Sequence, residues 1–188
     1  DAMGAAARAV DTPGVYGLAW EVASAYQSAP WMHGAGGAVL RDGGVVLDHP
    51  GNVAGFQLGL ELLPLAPPDP SGALVTQLFN EGRAAMVLNG PWFLGEVDPT
   101  IRFAVSPLPV VSSTGLAAAP YVTVESLLLA RDNDDARAFG AWLAGPEAGA
   151  ARQAQGRQVV ARSDVPSIDP VLGAFRAQLD HAVAMPTS

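Results

Sequence analysis

The chain has 188 residues, 49% hydrophobic and 15% charged, which supplies a packed core and rules out a disordered segment. Its ten cations are all Arg, scattered singly against eighteen acids for a net charge of -8, which argues against a nucleic-acid partner because phosphate neutralisation needs clustered cations. The absence of Lys and Cys excludes P-loop, Schiff-base and S-x-x-K chemistry, disulfides, thiolate metal sites and thiol nucleophiles.

In chain order, residues 1–10 read as the end of a helix, so the chain is expected to begin inside a larger structure. A short strand is expected at 15–19. The stretch SAYQSAPWMHGAGG at 24–37 is too rich in small residues, aromatics and Pro to be regular throughout. Segments 38–41 and 45–48 flank Asp42-Gly43-Gly44, a hairpin signal. Val53, Phe56, Leu60 and Leu63 recur at helical spacing and predict a helix closed by the Pro67-Pro68-Asp69-Pro70 breaker. A helix at about 72–80, a buried strand at 84–88 and a short helix at 92–97 follow. An apolar strand is expected at 103–108, cut off by Pro107 and Pro109, and a central strand at 121–130. Helices at 134–144, 146–155 and 171–184 complete a layered α/β pattern. No apolar run reaches the ~18 residues that span a bilayer, and any export signal or anchor is expected outside the chain.

Residues 78–96, LFNEGRAAMVLNGPWFLGE, end a helix, run a strand and deliver an Asn-Gly-Pro-Trp turn. Asn89 and Gly90 punctuate the strand end and Pro91 suits a first helical position. Trp92 follows on a new helix N-terminus whose amides can meet oxygen-rich ligands. An isolated Trp is most often a core residue. At a strand-to-helix corner, however, an aromatic plane can cover the C–H face of a sugar while amides and carboxylates take the hydroxyl rim. Tyr26, four residues before Pro30 and upstream of Gly36-Gly37, is a second aromatic candidate; its alternative is a half-buried Tyr with its hydroxyl in solvent.

Other motifs carry less. His33-Gly34-Ala35-Gly36-Gly37 superficially matches an esterase oxyanion loop, but the chain contains no G-x-S-x-G elbow. His33, His49 and His181 are far apart and read as structural or solvent-facing. Asp132, Asp134 and Asp135 lack the Gly and closing Glu of a calcium loop, and they precede a helix whose free amides acids can cap. Glu61, Glu81, Glu96 and Glu125 could in principle supply a glycosidase pair, although sequence provides no separation for them.

The F-x-x-G-x-A-A-M...G-P-W run over 79–92 and Tyr26-x-x-x-Pro30...Gly36-Gly37 resemble segments of the extracellular solute-binding proteins of carbohydrate ABC transporters, the maltose-binding protein family. So do the hairpin leading to Asp48-x-Pro50, V-S-P-L-P at 105–109, F-x-x-W-L-x-x-P-E-A at 139–148 and Ala184-Met185-Pro186. The resemblance implies one lobe of a class II periplasmic binding protein, an α/β fold, with a segment belonging to the other lobe. On that reading residues 1–102 and 146–188 build the second lobe and 103–145 cross to a first lobe whose main part lies outside this chain, making the chain a fragment or one section of a larger polypeptide.

The resemblance further implies a substrate-binding component of a carbohydrate ABC importer, periplasmic or extracellular, tethered to a membrane only through a part outside the chain. It would hold a maltose- or maltodextrin-like oligosaccharide in an interlobe cleft and deliver it to the permease transmembrane subunits. No catalytic residue, metal or cofactor is implied. Trp92 and Tyr26 would stack on the sugar, with polar contacts from Asn89 and the amides beyond Gly90 and Pro91. The position two before the Tyr, often acidic in the family, is Ser24, and Trp31, Gln27 and Glu21 are nearby candidates for compensating contacts. Two other classes stay open: a carboxylate-based glycoside hydrolase and a protein-interaction domain.

Overall fold

A computed structural model describes residues 2–167 and 169–186. Helix α1 (Ala2–Val10) leads to an extended segment at 15–19, which pairs in parallel with 84–87 through isolated bridges at Tyr16↔Ala84 and Ala19↔Val87. Helix α2 (Ala25–Gly34) runs through Pro30. The stretch at 24–37, expected not to be regular throughout, is thus helical over ten of its fourteen residues and leaves the helix at Ala35. Its Ser24 N-cap accepts the Gln27 amide, and everything from 29 to 34 is buried, so packing outweighs the lost donor at Pro30.

Strands β1 (Leu40–Arg41) and β2 (Gly44–Val45) form the expected antiparallel hairpin, with positive φ at Asp42 (52°) and Gly43 (78°), the pattern of a type I′ turn. Helix α3 (Pro50–Leu62) and a 3₁₀ turn (Leu63–Leu65) follow. The helix forms where the apolar spacing places it, but Val53, Phe56, Leu60 and Leu63 face outward. The packed face is Gly51, Asn52, Gly55 and Leu62. A Cβ built on Gly55 would stand 2.4 Å from the Met32 Cα, so backbone-to-backbone contact with α2 replaces side-chain interdigitation here. Fully buried Asn52 donates to the carbonyls of Ala38 (2.9 Å) and Val46 (2.7 Å), tying the hairpin to α3.

Helix α4 (Gly72–Asn80) begins on a Ser71 cap and ends in a Schellman motif. Gly82 has φ 70°, and the Arg83 amide returns to the Leu78 carbonyl (2.7 Å). The sharp stop turns the chain into the extended run at 84–88 and then into a 3₁₀ turn (Pro91–Gly95).

Beyond this point several expectations change. Residues 103–108 join no ladder among the described residues, and two prolines remove donors there. Strands β3 (Val110–Val111) and β4 (Leu116–Ala117) make a second hairpin. Strand β5 (Tyr121–Val122) is only the first two residues of the central strand expected over 121–130. After it Val124, Leu127, Leu128 and Leu129 are exposed, Leu128 to 89%. An apolar run becomes a central strand only where neighbours accept its backbone bonds on both edges.

Helix α5 (Asp134–Leu143) is capped by Asn133 rather than by the flanking acids. Asp132 and Asp134 instead pair with Arg137. Helices α6 (Pro146–Gly156) and α7 (Pro170–Gln178) follow. The last helix, expected to reach 184, gives way to a 3₁₀ turn (Leu179–His181) and strand β6 (Val183–Ala184), which pairs in parallel with β5.

The main core joins Ala7, Leu18, Trp20, Trp31, Leu62 and Val111. A second cluster packs Val75 and Leu78 of α4 against Ala19 and Ala84. A third joins Ala29 and Met32 to Tyr121, with Tyr26 against it. No helix among the described residues is long and apolar enough to cross a membrane.

Candidate functional site

The Asn-Gly-Pro-Trp corner is built locally. Asn89 Oδ1 accepts the Gly90 amide (2.9 Å), the Phe93 amide donates to the Gly90 carbonyl (3.1 Å), and Pro91 has no donor. Few amides remain for a ligand, contrary to the expectation of an open helix N-terminus, because a five-residue 3₁₀ turn spends them internally. Successive residues on such a turn point about 120° apart. Phe93 is thereby buried against Phe79 (5.6 Å between centroids), while Trp92 is left 54% exposed.

The indole folds back over Gly90. A Cβ there would lie 2.1 Å from the six-membered ring, so only Gly allows this rotamer. The indole also meets Tyr26, centroids 6.0 Å apart and planes tilted 58°. The structure thus brings Trp92, Gly90, Asn89 and Tyr26 together across more than sixty positions of sequence.

Tyr26 stands at the start of α2, with its hydroxyl donating to the Tyr121 carbonyl (3.1 Å) and its ring 6.0 Å from the Tyr121 ring. His33, two helical turns later, meets the Tyr121 ring edge-on at 4.8 Å, and its Nδ1 contacts the Ala119 carbonyl at 2.6 Å, which makes Nδ1 the protonated nitrogen. Burial lowers the His33 pKa, partly offset by that bond, and burial raises the Tyr121 hydroxyl. A cavity of about 180 Å³ lined by His33, Val39, Leu40, Tyr121, Val183 and Pro186 adjoins these rings.

Two candidate residues lie elsewhere in function. Trp31, between Tyr26 and His33 on α2 but turned into the main core, is 3% exposed and cannot reach a surface ligand. Ser24 spends its hydroxyl on the Gln27 amide (3.3 Å), and Gln27 accepts the Glu21 amide (2.9 Å); all three serve the start of α2. The sequence reading missed Tyr121 and His33 as neighbours of the site. Their contacts lie 95 and 86 residues apart along the chain, and no local spacing encodes them.

Chemically, the corner offers a half-exposed indole face, a tilted phenol ring and the remaining amide group of Asn89. It is suited to an amphipathic ligand with a C–H face and a polar rim.

Comparison with known proteins agrees with this chemistry. A crystal structure of a cyclo/maltodextrin-binding protein complexed with maltotetraose superposes with a TM-score of 0.82 at 25% identity, covering 98% of this chain and 52% of that one. The maltotriose-binding protein of Pyrococcus abyssi is 31% identical over 188 aligned residues, 92% of this chain and 41% of that protein. The chain thus spans about half the length, or less, of these relatives, both of them binding proteins by name, and it shares its α/β fold with the cyclo/maltodextrin-binding protein. The family model for bacterial extracellular solute-binding proteins matches residues 1–150. A match over that much of the chain, on top of the fold and a curated relative, establishes that the chain belongs to the bacterial extracellular solute-binding protein family.

Proposed function

We propose that this chain is part of the substrate-binding component of a carbohydrate ABC importer, working outside the cytoplasmic membrane. It binds a maltodextrin-like oligosaccharide on the Trp92–Tyr26 surface and passes it, chemically unchanged, to the permease. The observation that carries the reading is the half-exposed Trp92 indole held against Tyr26, on a chain whose relatives are sugar-binding proteins.

In this reading the site is one wall of a cleft, and a second lobe supplies the other. Residues 1–102 and 146–188 belong to the lobe bearing Trp92, and the crossing segment lies within 103–145. Leu108, Val111, Ala118 and Tyr121 pack into the lobe, so the portion that leaves it begins after β5. The exposed Val124, Leu127, Leu128, Leu129, Phe139 and Trp142 are then the surface the other lobe covers.

A hydrolase reading finds less support. Glu81 is held below the usual carboxylate range by bonds from Gln77 and Arg83, the opposite of a general acid, and the Glu96 carboxylate accepts the Thr76 hydroxyl (2.6 Å).

The test is a titration of this chain and of its full-length gene product with maltose, maltotriose, longer maltodextrins, trehalose and sucrose, followed by intrinsic Trp fluorescence. A saturable response to maltodextrins, weakened by about 30-fold or more in Trp92→Ala, is expected for an aromatic hot spot worth about 2 kcal/mol. A response that survives both Trp92→Ala and Tyr26→Ala puts the site elsewhere. Silence of the folded full-length product across the panel overturns the proposal.

A further inference from the structure

Behind the sugar surface stands a residue that the binding reading leaves unused. We propose that Tyr121 is the positioning residue of this site: it locks the Tyr26 ring so that Tyr26 offers a ligand its ring face and not its hydroxyl. The proposal rests on the sugar-binding reading for its ligand, but its geometry is independent of any sugar.

Backbone accounting comes first. Along β5 the carbonyls alternate in direction. Those of Pro120 and Val122 face β6, where they accept the amides of Val183 (2.9 Å) and Met185 (3.1 Å). The Tyr121 carbonyl between them faces the opposite edge, toward α2, and the Tyr26 hydroxyl is its partner at 3.1 Å. A partly buried edge carbonyl without a donor is costly, so this bond is a structural commitment and spends the one proton the Tyr26 hydroxyl could donate to a ligand.

The contact is also in register. Tyr26 and His33 are seven residues apart, about 10 Å along one face of α2. They reach the carbonyls of Tyr121 and Ala119, two residues apart and on the same side of the extended segment. Two points of attachment hold 119–121 against the helix, and Ala29 and Met32 fill the space between them.

The rings complete the device. Tyr121 is 8% exposed and cannot stack on a ligand itself, but its ring packs 6.0 Å from Tyr26 at a 39° tilt. Tyr26 in turn meets Trp92 at 6.0 Å. Tyr26 therefore has one neighbour that supports it and one that shares its exposed side. The Tyr121 hydroxyl takes part in no hydrogen bond recorded for the described residues, so the ring and the backbone carbonyl carry the function. Recognition through Tyr26 is then of the apolar face of a sugar ring, and the hydroxyl-reading polar contacts come from other groups.

Four variants of the full-length gene product test this: Tyr121→Leu, Tyr121→Phe, Tyr26→Phe and, to assign its signal, Trp92→Phe. Two readouts apply, maltotriose affinity and the Trp92 indole N–H resonance in ligand-free protein. Tyr121→Leu keeps the carbonyl and an apolar side chain but removes the ring; it is expected to shift the Trp92 resonance, which Tyr121 reaches only through Tyr26, and to weaken maltotriose binding about fivefold. Tyr121→Phe should restore both, and Tyr26→Phe, which deletes only the anchoring oxygen, should shift the resonance.

An unmoved Trp92 resonance or undiminished affinity in folded Tyr121→Leu makes Tyr121 a plain core residue and overturns the proposal. Should Tyr121→Leu not fold, an unmoved resonance in Tyr26→Phe has the same force. If the wild-type protein binds no sugar while Tyr121→Leu and Tyr26→Phe both shift the Trp92 signal, the positioning role stands and the sugar reading falls.

Discussion

At the scale of single residues, the site depends on a missing side chain as much as on the aromatic ones. The Trp92 indole occupies the volume where any Cβ at position 90 would stand. Gly90→Ala is expected to swing the indole away from Tyr26, shifting Trp92 emission and weakening maltodextrin binding about tenfold, a loss on the scale of one aromatic contact. Because Trp92 is half exposed, the urea midpoint of Gly90→Ala should change little; a large fall would mean that the corner itself had collapsed. Core residues behave oppositely. Leu18, buried between Trp20 and Leu65, should lose about 2–5 kcal/mol on truncation to Ala, read from urea denaturation, with no effect on the Trp92 resonance. Trp92 and Tyr26 were legible as candidates because their neighbours in sequence are turn and helix punctuation. Trp31 was misjudged because an aromatic five residues along the same helix faces the other way.

At the scale of elements, helix caps act locally, even at Asn133, where the sequence points to the flanking acids instead, whereas helix faces depend on distant partners. Ser71, Gly82 and Asn133 do their capping through atoms two to four residues away, so the sequence displays the whole interaction. Asn133→Ala is expected to cost about 1 kcal/mol in urea unfolding, the usual worth of an N-cap. Helix α3 shows the opposite case. Its apolar stripe identifies a helix, yet the packed face is made by Gly55 against α2 and by Gly51 against the turn at 35–37. Substituting Phe56 or Leu60 with Gln should therefore change stability by about 0.5 kcal/mol or less. Gly55→Val, forced against the Met32 backbone, should cost about 1–3 kcal/mol or more. If Phe56→Gln proved the more damaging of the two in thermal unfolding, the outward orientation of the stripe would be wrong.

At the scale of the molecule, two features govern stability: a buried imidazole and an uncovered apolar flank. Burial holds the His33 pKa below 6.5, against the smaller opposing effect of its bond to Ala119. The unfolded chain takes up a proton near 6.5. The stability of neutral His33 is thus whole above about pH 6.5 and is lost as pH falls from there toward the folded value. Urea midpoints should drop between about pH 7.5 and pH 5.5, and His33→Gln should flatten that step. Glu81, Asp98 and Asp164 are held low by bonds from Gln77, Thr100 and Arg162 respectively, and their contribution fades only at more acidic pH. The flank at 124–142 ties stability to the proposed second lobe. Leu128→Lys should leave this chain's midpoint unchanged but lower that of the full-length product; equal midpoints in both would argue that nothing covers Leu128.

By itself, the sequence determined the α/β alternation, the Asp42-Gly43 hairpin, the Asn-Gly-Pro-Trp turn and the family, since all of these reside in local spacing or in words of adjacent residues. Only the tertiary structure decided which face of α3 is buried, that 25–34 is one helix running through Pro30, that the run at 123–130 joins no ladder among the described residues, and that Trp31 belongs to the core. It also decided that Tyr121 and His33 stand behind Tyr26. Each of these depends on a partner brought from dozens of positions away, and burial energy, which acts on whole surfaces, overrides the weaker propensities that a sequence displays.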